Sequence, residues 1–308
     1  MLRGVAIKVL IIGGTRFVGK NTVEILIRNG FEVTVLSRNN NILEGSIPVT
    51  EERTEGLKLL KGNFYDVIID FICYEGADVD NVFSNLLFNR YILISTVWLS
   101  KIENVNNTYT SLPEQTKKYL LGKKEAEKLA ESSWISGIPS IIIRLPILSG
   151  VNDHTRRLMF YLDRMEDGYG IIRVNGGNNM LQISHIQDVA DAIAKVSIDD
   201  LIEQHSLWDA MPGKGFSIKS MLKILSDGKK IQWCDLSEEY LNKTIPEYLK
   251  YEPFWREYQL SENTNNIFEI TNTRPRPIEE WFLPLKKNAK IMNNNSLRRK
   301  EINIIKEL

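Results

Sequence analysis

Three side chains in this 308-residue chain have the types and spacing to move a proton at a carbinol. Tyr119 and Lys123 stand four apart in "EQTKKYLLGKKEAEKLA", a run of good helix formers, so both leave the same helix face. With 39 Lys+Arg and 11 Tyr, about one Tyr-x-x-x-Lys is expected by chance, so position carries the information. The pair follows a strand-like run, "NRYILIST", that ends in Ser95-Thr96, and precedes another, "PSIIIRLPIL". A free phenol, with pKa ~10, is a poor acid/base catalyst at neutral pH. Lowering it by about three units takes roughly 4 kcal/mol. A cation ~4 Å away supplies about 1 kcal/mol in bulk water and roughly 4 where the effective dielectric is ~20. The expectation is therefore a partly dry pocket in which Lys123 lowers the Tyr119 phenol and Thr96 hydrogen-bonds the reacting oxygen. Read singly, these residues are a solvated helix face and a β-branched strand residue; together they point to catalysis.

Proton transfer at a carbinol needs a hydride partner, and the chain's start offers a place for one. In "VLIIGGTRFVGK" an apolar run ends in Gly13 and Gly14, with Gly19 following before a helical pattern. Gly13 permits the sharp turn, Gly14 or the small Thr15 lets backbone approach a pyrophosphate, and Gly19 lets the helix pack on the strand. A phosphate would then sit on free N–H groups at the positive end of that helix. Dinucleotide sites for NAD place a carboxylate some 20 residues on, at the second strand's end. Here that position reads Ser37-Arg38-Asn39-Asn40-Asn41, with no acid before Glu44. A guanidinium suits a 2′-phosphate, and Arg16 inside the loop stands ready for the same group. The expected cofactor is NADP, with NAD as the alternative.

These groups require a sheet to hold them. "IKVLII" is a continuous apolar run, as in a strand covered on both faces, and "FVGKNTVEILIRNG" has helical spacing with an Asn29-Gly30 stop. "FEVTVLS", "YDVIIDFIC", "RYILIST" and "PSIIIRLPIL" continue the alternation, which predicts an α/β fold with a doubly wound parallel sheet. After about residue 150 the rhythm breaks, although "SHIQDVADAIAKVSI" adds one more amphipathic helix. The expected division is a dinucleotide-binding domain of 1–152 and 185–207, and a substrate lobe of 153–184 and 208–308. In that lobe Tyr251, Phe254, Trp255 and Tyr258 either stack on a ligand or form the core, the commoner use. The basic, Asn-rich end, "KKNAKIMNNNSLRRKEINIIKEL", reads as a surface helix with a frayed approach.

Composition narrows the partners. Lys+Arg and Asp+Glu are both 39, which leaves no charge excess for nucleic acid or an anionic membrane. Cys73 and Cys234 sit in apolar surroundings and read as reduced core residues of a cytoplasmic protein. The histidines, His154, His185 and His205, show no ligand spacing, so no metal is expected. No membrane span or cleaved leader is expected either. Trp98 and Trp281 have no assignable role.

On these residues the chain resembles the short-chain dehydrogenase/reductases, in particular the extended and atypical branch that includes the NAD-dependent epimerase/dehydratases. The resemblance runs from about Lys8 to Val196. "GGTRFVG" (Gly13, Gly14, Thr15, Arg16, Phe17, Val18, Gly19) resembles that branch's cofactor loop, with Arg16 where extended members usually carry the middle glycine. "EERTEGLKLL" is similar to an acid-Arg segment, which implies Glu52 and Arg53 near the adenine. "ISTVWLS" resembles the strand bearing the active-site Ser/Thr, implying Thr96, with Ser100 where a tyrosine often ends the motif. "YLLGKKEAE" is similar to the Tyr-x-x-x-Lys helix with its trailing glutamate. "IIIRLPILSG" resembles the segment beside the nicotinamide, implying Leu145, Pro146 and Ile147. The resemblance implies a Rossmann-type domain with a smaller C-terminal lobe, and a homodimer formed through helices. Sugar-nucleotide 4,6-dehydratases follow the threonine with Asp-Glu; Val97-Trp98 here argues against dehydration.

The function expected is an NADP-dependent oxidoreductase or epimerase acting on a nucleotide-sugar-like substrate, with Tyr119 as acid/base. A reductase of a small non-sugar carbonyl and a non-catalytic NADP- or RNA-binding relative are the alternatives, the latter echoed by chloroplast stem-loop RNA-binding members of the branch. The intact Thr96, Tyr119 and Lys123 argue against decay of catalysis.

Overall fold

A computed structural model describes residues 6–100, 112–151, 153–198, 206–213, 215–254, 265–288 and 296–307. In chain order its first elements are β1 (Lys8–Ile12), α1 (Phe17–Arg28), β2 (Glu32–Ser37), β3 (Ile47–Thr50), α2 (Arg53–Leu59), β4 (Phe64–Asp70), α3 (Gly76–Asn85), β5 (Leu87–Thr96), α4 (Glu114–Ile135) and β6 (Ser140–Leu145). There follow β7 (Ile147–Ser149), α5 (Arg157–Glu166), β8 (Ile171–Val174), β9 (Met180–Leu181), β10 (Ile183–His185), α6 (Ile186–Ile198), β11 (Ser206–Asp209), β12 (Phe216–Ser217) and α7 (Ile218–Ser226). The last are β13 (Trp233–Leu236), α8 (Glu238–Thr244), α9 (Tyr248–Tyr251), α10 (Ile267–Ile270), α11 (Ile278–Leu285) and α12 (Ser296–Glu307).

The chain divides into two compact units, one of Met1–Pro146, Ile186–Met211 and Leu260–Arg274, the other of Ile147–His185, Pro212–Gln259 and Pro275–Leu308. The first unit is a parallel sheet in the order β11-β6-β5-β4-β1-β2-β3. Its strands run as unbroken apolar stretches because both faces are covered. Leu10 and Ile12 pack with Ile68, Leu93, Ala126 and Ala130, while Val9 and Ile11 are equally buried. The order doubles back at β1, which lies between β4 and β2, and in such sheets ligands bind at the strands' carboxyl ends there. The crossover from β1 enters α1, and α1 packs with α6. Residues 265–274 join this unit through hydrogen bonds: the Asp209 N–H donates to Asn265 O at 2.9 Å, and Lys195 Nζ donates to Thr271 O at 3.1 Å and Thr273 Oγ1 at 3.0 Å. β3, "IPVT", was hidden in the sequence by its exposure and its proline, both tolerable at a sheet edge.

The second unit is built of three strand pairs, β7 with β10, β9 with β12 and β8 with β13, around helices. One core joins Leu158, Tyr161 and Leu162 of α5 to Met221 and Leu222 of α7 and to Trp281 and Phe282 of α11. Phe254 is fully buried there, as a lobe-core reading of the aromatic stretch requires, while Tyr251 is exposed; Trp255 and Tyr258 lie outside the described residues. The basic end departs from expectation. α12 is not a solvated surface helix: Arg298, Glu301 and Ile305 are buried in it. Arg298 donates to both Asp167 carboxylate oxygens at 2.7 Å, and Arg164 forks onto Glu301 at 2.8 and 2.6 Å. Two arginines and two carboxylates cancel out of water, which no local reading of a basic run anticipates.

Cys73 and Cys234 are both buried free thiols. No helix among the described residues is long and apolar enough to cross a membrane.

In the second unit the half-buried His185 ring lies 5.3 Å from the Trp281 ring, tilted by 46°, with Arg276 Nη1 3.3 Å from its Nδ1. Burial, and then the Arg276 charge, hold its pKa down from 6.5 to about 4. The unfolded chain therefore takes up this proton at a higher pH than the folded one. The stability from a neutral His185 is complete above about pH 6.5 and is lost as pH falls towards about 4. Urea midpoints measured across that window are expected to fall on acidification, and less steeply in His185→Gln.

Candidate active site

α4 carries Tyr119 and Lys123, and its sequence is mostly polar, so something other than an apolar stripe must hold it. Ala126 and Ala130 let the backbone approach β5 and β6 closely. The firmer tie is a buried ion pair: Arg144 of β6 donates from Nε to Glu127 Oε1 at 2.9 Å and from Nη2 to Glu127 Oε2 at 2.6 Å. Its Nη1 reaches Ser100 Oγ at 2.7 Å, so the polar residue that ends the "STVWLS" segment has a use. Both charges are at least nine-tenths buried. The fork fixes the rotation of α4 one turn beyond Lys123.

With α4 so placed, the three expected catalytic residues meet at the carboxyl end of β5. Thr96, buried, is the last residue of that strand and pairs in register with Leu145. The Tyr119 phenol lies close enough to Thr96 for that side chain to bear on its pKa. Lys123 is buried, and its Nζ donates to Ile94 O at 2.7 Å. The electrostatics depart from expectation. The Tyr119 phenol is not lowered; burial, and then the neighbouring Tyr74, push it up to about 12, against a smaller lowering by Thr96. Burial in turn lowers the Lys123 ammonium, against the pull of Cys73, Asp70, Glu127 and Asp78. The Lys123 end of the site is buried while Tyr119 keeps 39% of its exposure, and the partial burial of the phenol favours its neutral form, because desolvating a phenolate costs more than these neighbours return.

The glycine loop has the shape an anion needs. Gly13 has φ +86°, and a Cβ there would come within 2.6 Å of Ile72. A Cβ on Gly19 would stand 3.1 Å from both the Gly13 carbonyl oxygen and Gly14 Cα, so loop and helix touch backbone to backbone. α1 starts with Arg16 at its N-cap, without a side-chain cap and without an acidic residue in its first turn. No cap side chain and no carboxylate of that turn therefore competes with a pyrophosphate for the helix's positive end. Thr15 and Val18 are buried, Phe17 enters the helix at φ 49°, and Arg16 is exposed. The residues present fit a dinucleotide. Ser37 closes β2 with its hydroxyl turned to Asn39 O at 3.0 Å. Arg38 is exposed, with Nη1 3.7 Å from Glu52 Oε1. Pro146 is buried and ends the strand run after Leu145.

Arg53, expected beside an adenine, donates to Asp70 Oδ1 and Oδ2 at 2.8 and 2.6 Å and to the Asp78 carbonyl at 2.9 Å, with Asp78 Oδ1 3.0 Å from Nε. Asp70 is wholly buried and also accepts from the Tyr91 hydroxyl at 3.0 Å, so its charge needs the guanidinium more than a ligand would. The sequence signal was present in Asp70, a lone carboxylate closing the apolar run "VIID". Tyr74, also against Tyr119 and Lys123, belonged to no expected motif, and Gly122, inside the Tyr-x-x-x-Lys segment, carried no expected role.

No protein-family model matches the chain. Over 220 residues, 60% of the chain, it is 29% identical to a decarboxylating sterol-4-alpha-carboxylate 3-dehydrogenase of Dictyostelium discoideum, of which the match spans 66%. Over 209 residues, 61% of the chain, it is 24% identical to the chloroplast stem-loop binding protein of 41 kDa b of Arabidopsis thaliana, of which it spans 54%. Thus the matches cover less than two thirds of these relatives' own length. Among solved structures, an NAD-dependent NDP-hexosamine 5,6-dehydratase of tunicamycin biosynthesis superposes with TM-score 0.65 at 15% identity, over 91% of this chain and 96% of that one. The Thermus thermophilus UDP-glucose 4-epimerase in complex with NAD superposes with TM-score 0.63 at 15% identity, over 92% and 100%. The expected resemblance is therefore shown at the level of fold: the structural neighbours are NAD-dependent epimerases and dehydratases of the short-chain dehydrogenase/reductase type.

Removing one member of a buried ion pair leaves the other charge uncompensated, at a cost of about 3–5 kcal/mol. Glu127→Gln is expected to lower unfolding free energy by about 3 kcal/mol, read from the urea midpoint. Glu127→Leu with Arg144→Met is expected to recover most of that loss.

Proposed function

We propose that this chain, folded as the NAD-dependent epimerases and dehydratases are, is an NADP-dependent oxidoreductase or epimerase. It works at a carbinol or ketone carbon of a nucleotide-sugar-like substrate. The observation that carries the reading is the meeting of Thr96, Tyr119 and the buried Lys123 at the carboxyl edge of the sheet whose first crossover opens α1 uncapped. A dinucleotide whose pyrophosphate rested on Gly13, Gly14 and the first turn of α1 would accept or supply hydride through its nicotinamide. The chain's own residues manage the proton. At neutral pH the Tyr119 phenol is protonated and placed to donate to a ketone oxygen, while the Thr96 hydroxyl holds that oxygen in line. In the opposite direction Tyr119 must start as the phenolate to take up the carbinol proton, and the Lys123 ammonium, held by Ile94 O, is the cation that favours that phenolate. Thr96 is followed by Val97 and Trp98, neither of which exchanges protons, so dehydration is not part of the reading.

Preference for NADP rests on Arg38 and Arg16, exposed cations beside the second strand and the glycine loop. The nucleotide-sugar class rests on the fold neighbours, whose own substrates include UDP-glucose. A second reading, reduction of a non-sugar carbonyl, is favoured by the sterol dehydrogenase relative. Binding of RNA has a relative of that function behind it, but the net charge is zero and Arg298 of the basic end is buried against Asp167.

The test is oxidation of NADPH and NADH across a panel of keto-sugar nucleotides and simple ketones. Tyr119→Phe is expected to cut kcat by about 10²–10⁴ with the protein still folded; turnover that survives it removes Tyr119 from the mechanism. Arg38→Ala is expected to weaken NADPH binding by about tenfold and NADH binding little. Equal effects on the two would remove the 2′-phosphate assignment.

A further inference from the structure

Tyr74, in the turn after β4, lies against both reactive groups of α4. Its backbone is fixed from two sides. The Tyr74 N–H donates to Asp78 Oδ2 at 2.7 Å. Its carbonyl oxygen packs against α4 at Gly122, where a Cβ would lie only 2.2 Å away. Gly122 stands between Tyr119 and Lys123, so this approach carries the Tyr74 ring across the pair. The ring centroid lies 5.5 Å from Lys123 Nζ and 6.4 Å from the Tyr119 ring, tilted by 57°. Lys123 Nζ is thus flanked by one carbonyl, Ile94 O, and one aromatic face. The nearest ionisable groups acting on it are Cys73, Asp70, Glu127 and Asp78, and none of these hydrogen-bonds it among the described residues. Those acting on Tyr119 are Tyr74 and Thr96.

We propose that Tyr74 is a positioning residue of this site, whose ring holds the Lys123 ammonium against Ile94 O on the helix turn that Lys123 shares with Tyr119. This rests on the reading of Tyr119 as acid/base with Lys123 as its cation. A cation over an aromatic face is attracted by the ring's negative face, more strongly where water is scarce. The contact needs a ring and not a hydroxyl. Gly122 then has a stated reason: any side chain there lifts the Tyr74 turn away from α4. The turn also places Cys73, a buried thiol pushed up to about 12 and therefore uncharged, beside the same ammonium, so the ring is not competing with a thiolate.

The experiment compares Tyr74→Phe, which keeps the ring, with Tyr74→Leu, which removes it. Tyr74 is 55% exposed, so neither change opens the core. Two readouts are taken on the full chain. The first needs no turnover: reductive methylation of Lys123, followed by peptide mass spectrometry, is expected to be slow in the native protein and Tyr74→Phe and faster by about tenfold in Tyr74→Leu. The second is the pH profile of whichever carbonyl reduction the native protein supports. Tyr74→Leu is expected to lose about tenfold in kcat with KM little changed, and to move the limb assigned to Tyr119 upward by about one pH unit. Tyr74→Phe is expected to restore both. A native profile and native kcat in Tyr74→Leu overturn the proposal, as does a Tyr74→Phe variant as impaired as Tyr74→Leu. If the native protein reduces nothing in the panel, the catalytic reading falls and the methylation result alone decides: equal protection of Lys123 in all three proteins overturns the contact.

Discussion

The buried fork between Glu127 and Arg144 is the constraint on which the site's geometry depends. α4 has little apolar surface with which to choose its own rotation, and its alanines favour close approach without specifying an angle. A bidentate carboxylate–guanidinium pair does specify one, because its two hydrogen bonds fix both distance and plane. Taken out of water, such a pair adds little net stability, since desolvation offsets most of the attraction. Its effect is selective: any packing of α4 that separates the charges leaves each of them buried alone. One turn earlier on the same helix, Lys123 meets Ile94 O and Tyr119 meets Thr96. The polar anchor thus decides where the reactive face looks.

The same logic recurs beneath the glycine loop and in the second unit. Asp70, buried at the end of β4, is neutralised by Arg53 from α2 and hydrogen-bonded by Tyr91 of β5, tying three elements below the loop that Ile72 supports from the next turn. In the second unit Arg164 of α5 and Arg298 of α12 share Glu301. Both networks sit where apolar contacts alone would allow sliding. A consequence for the site is the burial of Lys123 and Thr96 beneath a more exposed Tyr119. Lys123 loses part of its preference for charge and Tyr119 holds its proton, so the ligand-free pocket is set as a proton donor.

Much of this was legible along the chain. The strand, glycine loop and helix from Val9 to Arg28 are one continuous stretch whose apolar spacing and missing side chains state their own purpose. The spacing of Tyr119 and Lys123 survives any tertiary context, because one helix turn always presents both on one side. What escaped were partners remote in sequence. Arg53 and Asp70 are 17 residues apart and Arg164 and Glu301 are 137 apart, and nothing local marks them as pairs. The carboxylates that Arg53 meets lie on other elements, and the basic end looked solvated because Asp167, which faces Arg298, lies in the turn after α5.

By itself, then, the sequence determined the alternating parallel sheet, the loop able to receive a pyrophosphate, and the residue types gathered at one strand end. These follow from periodicity and from backbone freedom, which are properties of neighbouring residues. Only the tertiary structure decided which charges are spent on one another, which way burial moves the Tyr119 phenol, and that Tyr74 crosses Lys123. Those outcomes depend on the local dielectric and on distances between separate elements, and neither exists until the chain has packed.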